Sequence, residues 1–454
     1  MNSRNPDTER LYWPADQVRQ YQLDKLRETV ARASRSTYYR PRLTGLQVDT
    51  LEDLRRLPLT PKEDSRAASP LGLLAVEPDQ LFQYHESYGT TGTPTSSWLT
   101  RGDFQNYATQ INHAAANLHG NDRVLVRFPY AISVPAHIVT QAAHNRDACV
   151  IPVSSRTAIA PYPRVIDLLG KLQATVICCL PMETIWLAEA ARQMGKDPAN
   201  DFPHLRAFLV AGELLSDARR VRIAELWHAE IYNLYGCTEG GNIAADCDAG
   251  RLHLSWDPFL LETLDEKTWQ PVSPGELGTA VLTTLTRQAM PLVRFLLGDY
   301  VRLREGQSCP CGREAPVIEH YGRDLNSFDF CDRRYFVRDL EDRLLTAPVQ
   351  ALDNLWLVEV RPDEVRFRAE AAKPDPLLYR ELQERVRDEL GLPLVIEPVP
   401  PGTLLDRARL AKVEPVHKPR VVGRVPSPDG RPLTLDDLMW AAPVNAQGTA
   451  AARS

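Results

Sequence analysis

Three stretches of this chain concentrate groups that bind anions, bases and metal ions. Residues 84–98 read YHESYGTTGTPTSSW, which places Gly89, Gly92 and the hydroxyls of Ser87, Thr90, Thr91, Thr93, Thr95 and Ser96 in one turn after a strand-like run. Successive N–H groups in such a turn can form a nest for a phosphate, although the lysine of a G-x-x-x-x-G-K-[ST] loop is missing. A solvated surface loop has the same composition. Residues 233–241, NLYGCTEGG, combine a flat ring (Tyr235), Gly236, a hydroxyl (Thr238) and a carboxylate (Glu239). A ring can stack on a base, a threonine can bond a phosphate and a glutamate can hold Mg²⁺. In RFLLGDYVRL (294–303), Asp299 sits at a glycine-marked bend, where a carboxylate suits the two hydroxyls of a ribose. Taken singly, each is equally readable as a turn residue capping its own backbone.

Two rarer residue types add to these. The eight lysines stand against a large excess of arginine, so Lys412 in DRARLAK and Lys418 in HKPRVVG are informative positions. The eight cysteines include a tight pair, Cys309 and Cys311 beside Gly312, and Cys247 is followed by His253 in DCDAGRLH. In a cytoplasmic chain of this size a close pair points to metal more than to a disulfide framework. Cys178 and Cys179 fall in an apolar strand and read as core.

The elements that must position these groups follow from patterning. With 454 residues, 43% hydrophobic and 25% charged, the chain can bury a large core in two or three domains. A net charge of −6 gives no global attraction to nucleic acid or an anionic membrane, and no basic stripe interleaved with aromatics occurs. Neither a signal-peptide core nor a membrane-length apolar run is found, so a cytoplasmic location is expected. QVRQYQLDKLRETVARAS has helical spacing. From about residue 120, runs such as RVLVRFP, ACVIPV, ATVICCLP and RAFLVAG alternate with helical stretches, which predicts a parallel sheet covered by helices. After residue 250 the segments become β-rich, and from 324 a small α+β unit follows, with LYRELQERVRDELG as a helix stopped by Gly391. The expected division is an α/β N-terminal domain over 1–323 with a β-rich subdomain at about 250–323, a small C-terminal domain over 324–425 and a flexible tail over 426–454.

Taken together and in order, these stretches resemble the adenylate-forming superfamily of acyl-activating enzymes, in its phenylacetate–coenzyme A ligase branch. RLPLTPKEDSRAASPLGLLAV, ESYGTTGTPTSSWLTRGDF, AGELLSDARR, NLYGCTEGG, LTTLTRQAMPLVRFLLGDYVRL and CPCGREAPVIEHYGRD carry the resemblance, which spans roughly residues 8–425. It implies a large N-terminal adenylate-forming domain and a small mobile C-terminal lid. It also implies a two-step reaction: a carboxylate attacks the α-phosphorus of ATP to give acyl-adenylate and pyrophosphate, and a thiol then takes the acyl group.

By motif match, the resemblance places Ser87, Gly89, Thr90, Thr91 and Gly92 on the β- and γ-phosphates. Ala211, Gly212 and Glu213 line the adenine pocket and Tyr235 stacks on the ring. Thr238 contacts the α-phosphate, Glu239 holds Mg²⁺, Asp299 grips the ribose and Arg323 adds a second contact there. Lys412 is the expected catalytic lysine, with Lys418 its rival. Tyr130, Ile132, Pro135 and His137 in PYAISVPAHIV, with Gly236, wall the acyl pocket, which suits an aromatic or heteroaromatic acid. Cys247, His253, Cys309 and Cys311 form a structural Zn²⁺ site, all four positions being filled by protein.

The chain departs from the branch at two places. Thr93 stands where a lysine is usual, and Leu325 in Asp324-Leu325-Asn326 stands at the usual aspartate pivot. These departures leave open a biosynthetic enzyme that passes its acyl group to a carrier-protein pantetheine or an amine instead of coenzyme A. An inactive nucleotide- or acyl-binding homologue is a further alternative. By the same resemblance the chain forms a homodimer, and its partners are a small carboxylic acid and coenzyme A or an acyl-carrier protein, with no nucleic acid and no membrane.

Overall fold

The Gly- and Thr-rich stretch lies between two paired strands, β1 (Leu81–Glu86) and β2 (Ser96–Thr100), with Glu86 opposite Ser96. The computed structural model describes residues 6–87, 94–415, 418–424 and 432–440, so Gly89, Thr90, Thr91, Gly92 and Thr93 lie outside the described residues.

The alternation after residue 120 produces β3 (Arg123–Val126), β4 (Cys149–Pro152), β5 (Val176–Cys179), β6 (Ala207–Ala211) and β7 (Glu230–Cys237), joined through helices Pro135–His144, Tyr162–Lys171, Pro181–Gln193 and Asp217–Trp227. These strands pair in parallel. All four residues of β5, VICC, are buried, as a strand covered on both faces requires.

The β-rich segment continues the same sheet. A hairpin takes β7 into β8 (Gly241–Asp246), followed by β9 (Leu252–Leu254), β10 (Phe259–Leu264), β11 (Leu277–Thr284), β12 (Phe295–Arg304) and β13 (Val317–Gly322). The resulting 11-stranded sheet runs β10-β11-β12-β13-β9-β8-β7-β6-β5-β3-β4. Its thinnest join lies between β9 and β13, where the ladder is the single pair His253–Val317.

The small unit begins with the hairpin β14 (Ser327–Phe330) and β15 (Arg333–Phe336). A four-stranded sheet follows, made of β16 (Trp356–Val360), β17 (Val365–Glu370), β18 (Leu394–Val399) and β19 (Val422–Arg424) in the order β18-β17-β16-β19. Asp375 caps its helix Pro376–Leu390 by accepting from Leu377 and Leu378, and Gly391 ends it at φ 70°. Its core merges with that of the large domain: Leu187, Ile223 and Trp227 share one apolar cluster with Leu340, Trp356 and Leu404. Arg222 donates to the carbonyls of Leu345, Ala347 and Leu352, which fixes the seam further.

The expectation of a loose tail over 426–454 is corrected for residues 432–440. Leu433, Leu435 and Met439 are buried against the small domain, and the Leu433 N–H donates to Glu359 Oε1 at 2.8 Å. Leu435 and Met439, four apart on the helix Leu435–Trp440, give it a face to bury, and Leu433 packs just ahead of it.

Candidate functional site

Two adjoining cavities open where β6, β7 and β12 meet the small domain. The first is lined by Gly212, Glu213, Tyr235, Asp299, Arg323, Leu325 and Lys418, among others. Asp299 lies just past Gly298, which takes φ +70° in β12, and its carboxylate is buried. It accepts from Arg323 Nε at 2.8 Å and from the Tyr235 hydroxyl at 3.2 Å, while His320 Nε2 stands 3.7 Å away. Burial alone would lift the Asp299 carboxyl; the Arg323 guanidinium, and then His320, outweigh it and hold the group well below the usual carboxylate range. Tyr235 is buried with its ring centroid 4.7 Å from that of His320. The hinge turn is fixed by Asn326, whose Oδ1 accepts the Arg323 N–H, and a Cβ on Gly322 would lie 2.4 Å from that oxygen.

The second cavity is lined by Lys62, Ser87, Ala211, Gly236, Thr238, Glu239 and Lys418 together with apolar walls. Glu239 is buried at the β7–β8 turn; its Oε1 accepts from the Thr95 hydroxyl at 2.6 Å, and Lys62 Nζ lies 3.7 Å away. Burial opposes its charge, but the Lys62 ammonium and the Thr95 hydroxyl together keep the carboxyl below its usual range, so it stands ionised. Gly236 permits the tight β7–β8 hairpin, since a Cβ there would fall 2.2 Å from the Gly241 carbonyl oxygen. Ser87 Oγ accepts the Thr95 N–H at 2.9 Å, which anchors the start of the Gly- and Thr-rich turn.

The two candidate lysines separate. Lys412 is exposed after the short helix Arg407–Leu410, and the described lining of both cavities lacks it. Lys418 lines both, and its Nζ donates to the Gly212 carbonyl at 2.5 Å. Gly212 takes φ +86°, a backbone conformation that a side chain would strain, and presents its carbonyl to this ammonium. Desolvation and then the nearby Arg323 bring Lys418 down to about 8, while Glu213 and Asp299 pull the other way. Burial lifts Glu213 to about 7 even though it accepts the Met182 N–H. The expected Lys412 thus lies away from both cavities and its rival Lys418 lies in them; Arg407, whose spacing suggested Lys412, pairs with Glu189 and Glu370 at the domain seam.

Of the expected acyl-pocket residues, Pro135 and Gly236 line the second cavity. The described lining lacks Tyr130, Ile132 and His137. His137 Nε2 is bonded to the Tyr130 carbonyl at 2.9 Å, the Tyr130 hydroxyl pairs with Thr140, and Ile132 is half exposed. The helix Pro135–His144 explains the difference. Its period turns Val134, Pro135, Ile138 and Val139 to the cavity and leaves His137 off that face. Phe128, Ile111, Leu180 and Leu234 complete the apolar wall.

Cys247, His253, Cys309 and Cys311 come together with ligand atoms all within 4.8 Å of one another. Cys247 and Cys309 sulfurs are 3.8 Å apart, close to the edge of a tetrahedron with zinc–sulfur bonds near 2.3 Å. His253 Nδ1 faces the Ala315 carbonyl at 2.7 Å, which leaves Nε2 toward the thiols, 3.6 Å from Cys311. The donor set and its spacing fit a tetrahedral metal.

Lys62 lies in RLPLTPKEDSRAASPLGLLAV, a stretch that carries the resemblance without assigning this lysine a role. The scarcity of lysine is the further signal that could have singled it out.

Residues 28–280 match the family described as AMP-binding enzyme. A phenylacetate-coenzyme A ligase of Thermus thermophilus is 29% identical over 405 residues, covering 85% of this chain and 87% of that protein. A phenylacetate-coenzyme A ligase of Pseudomonas putida is 27% identical over 413 residues, covering 86% and 92%. Among solved structures, a 2-hydroxyisobutyryl-CoA ligase in the postadenylation state with its acyl-adenylate shares the fold, at 22% identity and a TM-score of 0.80, covering 93% of this chain and 94% of that one. No described helix is long and apolar enough to cross a membrane.

Proposed function

The chain belongs to the AMP-binding enzyme family, and from that premise we propose that it is an AMP-forming acyl-CoA ligase acting on an aromatic carboxylic acid. The adenylate-forming fold and the likeness to phenylacetate–coenzyme A ligases support activation of an acid with ATP and transfer of the acyl group to coenzyme A. The observation that carries the reading is the convergence of Tyr235, Asp299, Arg323, Glu239, Lys62 and Lys418 on two adjoining cavities.

In this reading Tyr235 packs on adenine and the ionised Asp299, held by Arg323, accepts the ribose hydroxyls. The buried Glu239 carboxylate would hold Mg²⁺, which would supply neutralisation of phosphate charge. Lys62 adds a second positive group beside Glu239, and Thr238 and the turn starting at Ser87 bond the phosphates. Lys418 crosses from the small domain and directs its ammonium to the carboxylate and bridging oxygen, where negative charge develops in the displacement. The acid lies against Phe128, Val134, Ile138 and Leu234, and this apolar slot favours a flat ring over a short polar acid. The four-ligand Cys/His cluster serves as a structural Zn²⁺ site away from the chemistry.

The test is ATP–pyrophosphate exchange over a panel of aryl, heteroaryl and short aliphatic acids, followed by thioester formation with coenzyme A. Exchange that depends on an aryl acid, with an acyl-CoA product, is expected. Binding of ATP without exchange for any acid would overturn the proposal.

A further inference from the structure

Four residues before Lys418, the chain carries a carboxylate that the chemistry above does not use. Glu414 is 9% exposed, and its Oε1 accepts from Arg127 Nη2 at 2.8 Å while Oε2 accepts the Arg156 N–H. Arg127 is fully buried at the end of β3, and its remaining donors are occupied. Nε and Nη2 bond Glu183 at 2.9 and 2.6 Å, and Nη1 bonds the carbonyls of Ser154 and Ala160. A guanidinium held this way from several sides is a rigid fork belonging to the large domain.

On the other side of Lys418, β19 pairs in parallel with β16, Val422 opposite Val358, and so belongs to the small domain. Lys418 therefore lies in sequence between Glu414, bonded to the large domain, and Val422, paired in the small one. Arg156, whose N–H completes the Glu414 contact, lines the second cavity with Lys418.

We infer that Glu414 is a positioning residue for Lys418, a pin that sets the register of the lysine-bearing span against the large domain. This inference rests on the proposed role of Lys418. Glu414 therefore acts where Lys418 acts, in adenylation. It has no task in thioester formation from an adenylate already made. Removing Glu414 leaves Arg127 paired with Glu183, so the large domain keeps a balanced buried pair instead of an orphaned charge.

Wild type, Glu414→Ala and Lys418→Ala are compared in three measurements. Amide hydrogen exchange of the peptide carrying Lys418 needs no substrate. Exchange with ATP, pyrophosphate and phenylacetate reads adenylation, and phenylacetyl-adenylate supplied with coenzyme A reads the second step. In Glu414→Ala, deuterium uptake around Lys418 is expected to rise several-fold with the melting temperature preserved. Adenylation should fall on the order of 10²-fold, the scale of a misplacement near 1 Å, and the supplied adenylate should be consumed within about twofold of the wild-type rate, well inside one RT-scale change.

Unchanged uptake, or uptake that rises throughout the molecule with a lower melting temperature, would overturn the pin. Faster uptake with undiminished adenylation would overturn its positioning role. Full adenylation by Lys418→Ala would instead sink the assignment of that lysine, while the uptake measurement still decides whether Glu414 holds the span.

Discussion

Lys62 Nζ stands 3.7 Å from Glu239 Oε1, inside a buried site that also receives the Thr95 hydroxyl. The lysine, with the Thr95 hydroxyl, keeps a solvent-excluded carboxylate ionised, and the pair presents both signs of charge to the second cavity. Glu239→Gln is expected to lower adenylation on the order of 10²-fold and raise the Mg²⁺ concentration needed for half-maximal rate. Lys62→Ala should cost about tenfold, equivalent to ~1.4 kcal/mol. Steady-state exchange rates against Mg²⁺ concentration check both.

The two lysines at the end of the chain make opposite predictions. Lys418→Ala should reduce adenylation about 10²- to 10³-fold, the range for removing one preorganised donor. Lys412→Ala should leave it within about twofold, since its side chain is exposed outside the described cavity lining. Exchange assays on the two variants decide the matter.

The same ammonium gives adenylation a pH dependence. Because its surroundings bring Lys418 down to about 8, the charged form is fully present below that pH and is lost above it. The adenylation rate should therefore fall between pH 8 and pH 9, with thioester formation from supplied adenylate following a different profile. A pH–rate curve for each half-reaction tests this.

Asp299 ties stability to acid. Its carboxyl is held below the unfolded value near 3.9, so it stabilises the fold above that pH, and the contribution is lost as pH falls toward the folded value. Asp299→Asn should lower the melting temperature at pH 7, with a gap to wild type that shrinks at pH 3.5. Calorimetry at the two pH values measures it.

Purified protein should carry one zinc ion per chain by elemental analysis. Cys309→Ser should lose it and melt at lower temperature, while retaining adenylation below the melting transition, because the cluster lies in the β8–β9 connection, β9 and the β12–β13 connection and not among the described cavity-lining residues of the two site cavities.

Much of this architecture was legible because it is written in local patterns. The buried run VICC, the helix stopped by Gly391 and the turn NLYGCTEGG each announce themselves within a few residues. Tyr235, Asp299 and Arg323, which line the first cavity, stand in equally local runs. Lys62 was missed because what defines it is its distance from Glu239, a relation with no local signature. Tyr130 and His137 were placed in the acyl wall by segment, whereas the 3.6-residue period of the helix selects Val134, Pro135, Ile138 and Val139. Lys412 and Lys418 sit on the same short segment; what separates them is the burial of Glu414 between them, a long-range contact to Arg127. The continuity of the 11-stranded sheet was likewise hidden, since the join that ties β10 to β13 onto the rest pairs β13 with β9, two strands far apart in the chain.

The single-pair join between β9 and β13 is also where the Cys/His cluster sits, with Cys247 and His253 on one side and Cys309 and Cys311 on the other. The chain between those two sides must leave, build β10, β11 and β12, and return. Closing so long an excursion costs configurational entropy that one ladder pair repays poorly. A metal captured at this seam would supply the closure and set the order of assembly, with the antiparallel half registering on the parallel half once the ion binds. Metal supply would then govern how many newly made chains reach the native state, and would leave the speed of each finished molecule untouched.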